Sequence, residues 1–373
     1  MRARFVKVKH SRGQTADLDS RSEVDRRLAL GARTLSGWHL HGMDLTGHTA
    51  ALAAVDPAGA LLLRCELTPE QVRDLRARGA VVFPRSPDTP VEINRTQLYT
   101  PAELYDTTRY RDSLDAHAYG WAHDTQGLPL GHPRSGDLAR SLHDQAIDTA
   151  LERWRSTRSL VGVMGGHTVP RGTPAYTHAA RAGHVLGATH TVASGGGPGA
   201  MEAANLGARL SGQQVESLTE AQELLAAAPS YSPDVDAWVA ASRAVLERFP
   251  EARDSLGVPT WHYGHQPSNL FATAIAKYFR NSSREAILLE VCDAGIVFLP
   301  GTSGTVQEIF QDACENFYAD EASVARMVLV GRAYWTETVP AWPLLVALAR
   351  GHALESRIHL VDEVEEAAAL VAA

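Results

Sequence analysis

The chain has 373 residues, 45% of them hydrophobic and 21% charged, which is enough apolar material for two domains with full cores. Its 35 Lys and Arg against 43 Asp and Glu give a net charge of −8, which argues against nucleic acid as a partner and leaves room for a local basic pocket of mononucleotide size. The three cysteines, Cys65, Cys292 and Cys314, have no CxxC spacing, which points to a reducing, cytoplasmic setting and away from structural zinc.

Residues 1–10 (MRARFVKVKH) carry charge without an apolar segment, and no apolar run approaches the roughly 18 residues of a membrane span, so neither secretion nor a membrane partner is expected. Residues 1–30 are polar, fit for an extended arm or a short helix. Residues 35–46 (LSGWHLHGMDLT) have the leucine spacing of a loosely repeated turn, although no internal repeat is evident along the chain. Residues 52–55 and 60–67 suggest a strand pair across Pro57-Ala58-Gly59. Thr68-Pro69-Glu70-Gln71 is a helix start: a cap, a proline at the first helical position and a glutamine able to close a capping box. That helix should end at Gly79, before a strand at 81–83. Together these form a smaller N-terminal α/β domain, residues 1–130, without a catalytic motif and with an expected role in packing, oligomerisation or substrate gating. Residues 93–106 suggest a linker, 117–136 a loop rich in Gly, Pro and His, and 137–155 an amphipathic helix.

Residues 131–373 carry three strand–glycine turn–helix units. The run 159–164 (SLVGVM) leads into Gly165-Gly166-His167-Thr168 and a helix at 175–186, in which Tyr176 is placed to cover a ligand. The run 189–193 leads into Ser194-Gly195-Gly196-Gly197-Pro198-Gly199 and a helix beginning Ala200-Met201-Glu202. The run 296–299 stops at Pro300-Gly301-Thr302-Ser303-Gly304-Thr305, after which Val306, Ile309, Phe310, Ala313 and Phe317 share one helical face. Such turns aim backbone N–H groups and helix N-termini at one point, which suits a phosphate, and three of them imply a parallel sheet with its loops gathered at the strands' C-terminal ends. Between them, 213–260 is a helical stretch cut by Pro229, Pro233 and Pro250, either a lid or a decoration, and 270–279 has helical spacing. A further strand is expected at 326–330 and a terminal helix at 363–373. No Gly-Lys-Ser/Thr follows the first turn and no GxGxxG follows Met164, which disfavours nucleoside triphosphates and dinucleotides.

PGTSGTVQE resembles the PGGxGTxxE motif of the LOG-type family, often labelled "lysine decarboxylase". SGGGPGAMEAAN is similar to that family's GGGxxGLMG turn, and Arg280 and Arg284 in FRNSSRE resemble its Arg-Lys segment. The resemblance covers about residues 135–350. Thr302 stands where the family has its second Gly, the arginine-to-PGG distance is about a residue longer, and the region 213–260 is larger than in compact members. The resemblance implies a Rossmann-like parallel sheet flanked by helices. It also implies hydrolysis of the N-glycosidic bond of a nucleoside 5′-monophosphate to free base and ribose 5-phosphate, in a homodimer or larger homo-oligomer, with no cofactor. Glu308 and Arg284 would be catalytic. Gly165, Gly166, His167, Ser194, Gly195, Gly196, Gly197, Gly199, Met201, Arg280, Asn281, Gly301, Thr302, Ser303, Gly304 and Thr305 would bind nucleotide and phosphate. Asn281 and Gln307 are further ribose or base contacts. The alternative is a nucleotide- or cofactor-binding carrier using the same cradle without turnover.

The residues fit the chemistry. Glycosidic cleavage builds positive charge on the ribose, which a carboxylate such as Glu308 stabilises while handling the attacking water. Arginine grips phosphate bidentately or stabilises the leaving base. Asp312 and Glu315, further along the same helix, are expected to be structural. The only lysines are Lys7, Lys9 and Lys277, and none sits in a Schiff-base pattern, so decarboxylation through pyridoxal phosphate is excluded. His39-x-His41 and His262-x-x-His265 lack a carboxylate or cysteine at ligand spacing, so no metal is expected; His265 or Tyr263 is placed to touch the base instead.

Overall fold

The computed structural model describes residues 15–83, 89–124, 136–263 and 266–372. The expectations for the first residues of the N-terminal arm, for the second half of the 117–136 loop and for His265 lie outside the described residues. The chain divides into two compact units, Met1–Thr96 and Gln97–Ala373, so the boundary falls before residue 97 instead of near 130. The reason is the pairing of the residues after 96. Tyr99 N–H donates to the Ile275 carbonyl at 2.9 Å and Ile275 N–H returns the bond at 2.8 Å, which ties this segment to the second unit's sheet.

The first unit runs β1 (Ala16–Leu18), α1 (Arg21–Ala29), β2 (Trp38–His41), α2 (Thr49–Ala53), β3 (Leu61–Leu63), α3 (Pro69–Ala77) and β4 (Val81–Phe83). Its four strands are parallel and lie in chain order, β1-β2-β3-β4. Leu18, Leu40, Leu62 and Val82 stack in register and are all buried. Gly37, Gly59 and Gly79 occupy equivalent corners with φ of 77°, 75° and 89°. They are linked by Gly37 N–H to Gly59 O at 3.0 Å and Gly59 N–H to Gly79 O at 3.1 Å. This is a stack of strand–helix repeats, each burying its apolar face against the next. It corrects the expectation of no internal repeat: only a leucine and a glycine recur per turn, too few letters to stand out. The expected strand at 52–55 is the end of α2 and the turn after it instead. The α3 cap is as expected, with Gln71 N–H donating to Thr68 Oγ1 at 3.2 Å and Thr68 N–H to Gln71 Oε1 at 2.7 Å.

The second unit begins with α4 (Pro101–Leu104), α5 (Leu114–Asp124) and α6 (Asp137–Arg155), so the first half of the expected 117–136 loop is helix. Then follow β5 (Leu160–Met164), α7 (Pro174–Leu186), β6 (Thr191–Ser194), α8 (Ala200–Arg209), α9 (Val215–Ala226), α10 (Val235–Arg248), β7 (Ser255–Gly257) and β8 (Ala274–Ile275). The chain returns through α11 (Asn281–Glu290), β9 (Gly295–Phe298), α12 (Ser303–Tyr318), β10 (Met327–Val330), α13 (Ala341–Ala349), β11 (Ile358–Val361) and α14 (Val364–Ala372). All seven strands are parallel, in the order β11-β10-β9-β5-β6-β7-β8. The α/β, Rossmann-like architecture expected from the sequence is therefore present. Among the described residues no helix is long and apolar enough to cross a membrane.

Two expectations in this unit are corrected. Residues 270–279 are extended around β8, not helical: Leu270, Phe271, Ala272, Ala274, Ile275, Ala276, Tyr278 and Phe279 are all buried, and a run apolar on every side carries no period. The 213–260 stretch is neither decoration nor merely a lid, because it contains β7, which sits between β6 and β8, while Leu218, Leu225 and Val245 join the main core. The order in which strands are added reverses between β5 and β9. That reversal opens a crevice outside the carboxyl ends of the two strands, where ligands bind in this architecture.

Candidate active site

The three glycine turns meet at the β5–β9 crevice. Gly166 N–H donates to Pro300 O at 3.2 Å, and Ala200 N–H donates to Gly166 O at 3.0 Å, so the turns after β5, β6 and β9 are knitted together. They enclose a cleft of about 330 Å3. The helices that start there, α8 and α12, have no side-chain cap at Gly199 or Thr302, so their first N–H groups lack the usual side-chain acceptor. Thr305 is the third residue of α12 and is buried, so it does not cap that helix.

The SGGGPG turn owes its shape to a buried polar network behind it. Ser194 Oγ donates to Asn205 Oδ1 at 2.7 Å and accepts from Gly196 N–H at 3.0 Å. Asn269 Nδ2 donates to Asn205 Oδ1 at 2.9 Å and to Gly197 O at 3.2 Å. Gly196 has φ +69°, and a Cβ there would stand 2.7 Å from Pro259 Cδ and 2.9 Å from Val258 N. Only glycine meets both demands.

Of the residues expected to bind, Gly165, Gly166, His167, Gly195, Gly197, Met201, Thr302, Ser303, Gly304 and Thr305 line the cleft. Ser194, Gly196 and Gly301 shape the turns from behind. Ser194 points into the network just described, and the Gly301 carbonyl accepts from Tyr334 OH at 2.8 Å. Gly199 lines a smaller neighbouring pocket of about 140 Å3 with Glu202 and Trp238. Arg280 is exposed, its backbone N–H held by Asp144 Oδ2 at 2.9 Å, and it does not line the cleft. Asn281 stands beside the cleft and accepts from Arg284 Nη2 at 3.1 Å. Tyr176 is core and covers nothing. On α12 the buried face is Thr305, Ile309, Asp312, Ala313 and Asn316, so three polar residues take the places expected for Val306, Phe310 and Phe317, which are only partly buried. Asn316 bonds Asp312 and the Ala325 N–H, the structural use expected for this stretch.

Glu308 and Arg284 are brought together: Arg284 Nη1 lies 3.8 Å from Glu308 Oε1, and the side chains are only 12% and 15% exposed. Burial pushes the Glu308 carboxyl up to about 7, against the pull of Arg284 and with a push from Glu285. Arg284 Nε is buried without a hydrogen-bond partner. The sequence reading missed Glu285 as a cleft residue. Its Oε1 accepts from Asn281 Nδ2 at 2.6 Å and its Oε2 from Gln307 Nε2 at 2.8 Å, while Asn281 Nδ2 also reaches Tyr263 OH at 2.8 Å. The signal was the four-residue spacing of Asn281 and Glu285 on one helix face. Pro259, Thr260, Tyr263 and Gln266 complete that wall.

No family model matches the chain. No curated protein matches it either. Among solved structures, the molybdenum cofactor binding protein from the phototrophic bacterium Rippkaea orientalis is similar at 13% identity and a TM-score of 0.36, covering 58% of this chain and 96% of that one.

Proposed function

We propose that the second unit hydrolyses the N-glycosidic bond of a nucleoside 5′-monophosphate, releasing free base and ribose 5-phosphate. The observation that carries this reading is the Glu308 carboxyl, held near neutrality by burial beside Arg284 in a cleft walled by uncapped helix N-termini. The phosphate takes backbone N–H groups in the first turns of α8, beyond Ala200, and of α12. The base lies toward Tyr263, Glu285 and Gln307, and C1′ of the ribose faces Glu308. As the C1′–N bond breaks, its electron pair leaves with the base and positive charge grows on the sugar, where the Glu308 carboxylate stabilises it. Water adds its oxygen to C1′ and gives a proton to Glu308, and that proton is passed through solvent to the departing base nitrogen, which regenerates the carboxylate. A base with a pKa near the working pH combines availability with driving force.

The second reading, a carrier that binds a nucleotide without turnover, is favoured by Thr302, whose exposed position in the cleft wall adds a side chain where the resembling family has glycine. One experiment separates the two. Purified protein is incubated with purine, pyrimidine and modified nucleoside monophosphates, and the products are separated chromatographically. Free base together with ribose 5-phosphate supports the hydrolase. Thermal stabilisation by a nucleotide with no base released supports the carrier.

A further inference from the structure

The first unit holds a cluster of ligand-type side chains that its own fold assembles. Along β2 the side chains alternate, with Trp38 and Leu40 buried in the core and His39 and His41 on the opposite, partly exposed face. β1 lies parallel to β2 with Asp17 directly across from His39. Asp17 Oδ1 is 3.2 Å from His39 Nδ1 and 3.1 Å from His41 Nε2, and the three donor atoms all lie within 4.8 Å of one another. The carboxylate nearest in sequence, Asp44, is turned to Thr46, accepting from its N–H and hydroxyl. Strand pairing supplies one from more than twenty residues upstream.

We propose that Asp17, His39 and His41 form a site for a divalent first-row transition ion, with zinc the default occupant. Imidazole nitrogen and carboxylate ligands hold Zn2+ at about 2.0–2.2 Å, which places neighbouring donors of a tetrahedral shell roughly 3.3 Å apart. The two observed Asp17–histidine separations are close to that value. Two imidazoles of three donors select against calcium and magnesium, which want oxygen. The side chains are 23%, 30% and 13% exposed for Asp17, His39 and His41, so the face is open to water as a fourth ligand. Among the described residues β1 is the edge strand of the stack and pairs only with β2. Terminal repeats of such stacks need capping, and an ion shared between Asp17 and the two histidines would pin the end strand to the rest.

The test uses the full chain freed of metal by chelation. Zn2+ is titrated by calorimetry, and Co2+ is added separately to read its visible absorption as a ligand-field probe. The expected result is one equivalent of Zn2+ that disappears in His39→Ala/His41→Ala, with a rise in the thermal midpoint that the double variant does not show. Asp17→Asn keeps an acceptor oxygen for the histidine N–H groups and so preserves the strand pairing, but it is a poor ligand; it should weaken Zn2+ binding roughly tenfold or more. Circular dichroism of the variants without metal checks that the stack is folded. Wild-type protein that takes up no zinc, or variants that bind it with the same stoichiometry and affinity, would overturn the proposal.

Discussion

Replacing Glu308 with Gln should stabilise the protein at alkaline pH while removing the proposed activity. The Glu308 carboxyl is pushed up from 4.5 to about 7, with burial the largest cause. A raised carboxyl pKa means that the native state holds a proton which the unfolded chain has released. The penalty is therefore absent below about 4.5, grows as pH rises through the window to about 7, and is constant above it. At about 1.4 kcal/mol per pH unit the full penalty is roughly 3 kcal/mol. The group is mostly buried, so solvent screening removes only part of this, and about 2–3 kcal/mol is expected in experiment. Gln is neutral and nearly isosteric. Arg284 loses the Glu308 charge both in the Gln variant and in the wild type with Glu308 protonated, and keeps Glu285 at 3.9 Å in both, so that loss cancels at low pH. Urea unfolding of both proteins at pH 4 and pH 8 reads the effect: near-equal stability at the lower pH and a more stable variant at the higher one. The same variant should lose base release by about 100-fold or more. Equal stability differences at both pH values would refute the argument that burial strains this carboxylate, whatever the activity shows.

Removing the charge of Arg284, as in Arg284→Met, takes away the influence that lowers the Glu308 pKa. The carboxyl should then titrate above about 7, read by carbon NMR of the labelled glutamate; an unchanged or lower value would contradict the contact at 3.8 Å. Gly196→Ala places a Cβ 2.7 Å from Pro259 Cδ at a φ of +69° and should cost about 2–4 kcal/mol, with loss of nucleotide-induced thermal stabilisation. Leu62→Ala, at the centre of the Leu18–Leu40–Leu62–Val82 ladder, should cost about 2–5 kcal/mol in the urea transition of the first unit, and a cost under about 1 kcal/mol would count against the repeat stack.

The second unit's plan was visible in residue types because its turns make local demands. Gly196 and Gly199 take positive φ, the apolar runs before each turn are buried strands, and helices start where the glycines end. Glu308 and Arg284 are singled out by the resemblance of the PGTSGTVQE and FRNSSRE motifs that hold them, since position on a helix alone suits a structural role as well. The Ser194 reading shows the limit. A serine beginning a glycine-rich turn suits a ligand contact, yet Asn205 and Asn269 draw its hydroxyl inward. The three residues span 194 to 269, and no local pattern announces that they meet.

By itself, then, the sequence determined what short-range backbone geometry requires: where strands stop, where glycine is needed, and where helix N-termini point. Tertiary structure decided what depends on which distant segments pair. It placed β7 inside the stretch expected to be peripheral, aligned the first unit's sparse leucines and glycines into a stack, and turned Glu285 into the cleft and Arg280 out of it. It also set Asp17 against His39 and His41. A turn's chemistry is written in a handful of adjacent residues, whereas the direction in which a side chain faces is set by the summed burial and hydrogen bonding of elements tens of residues away.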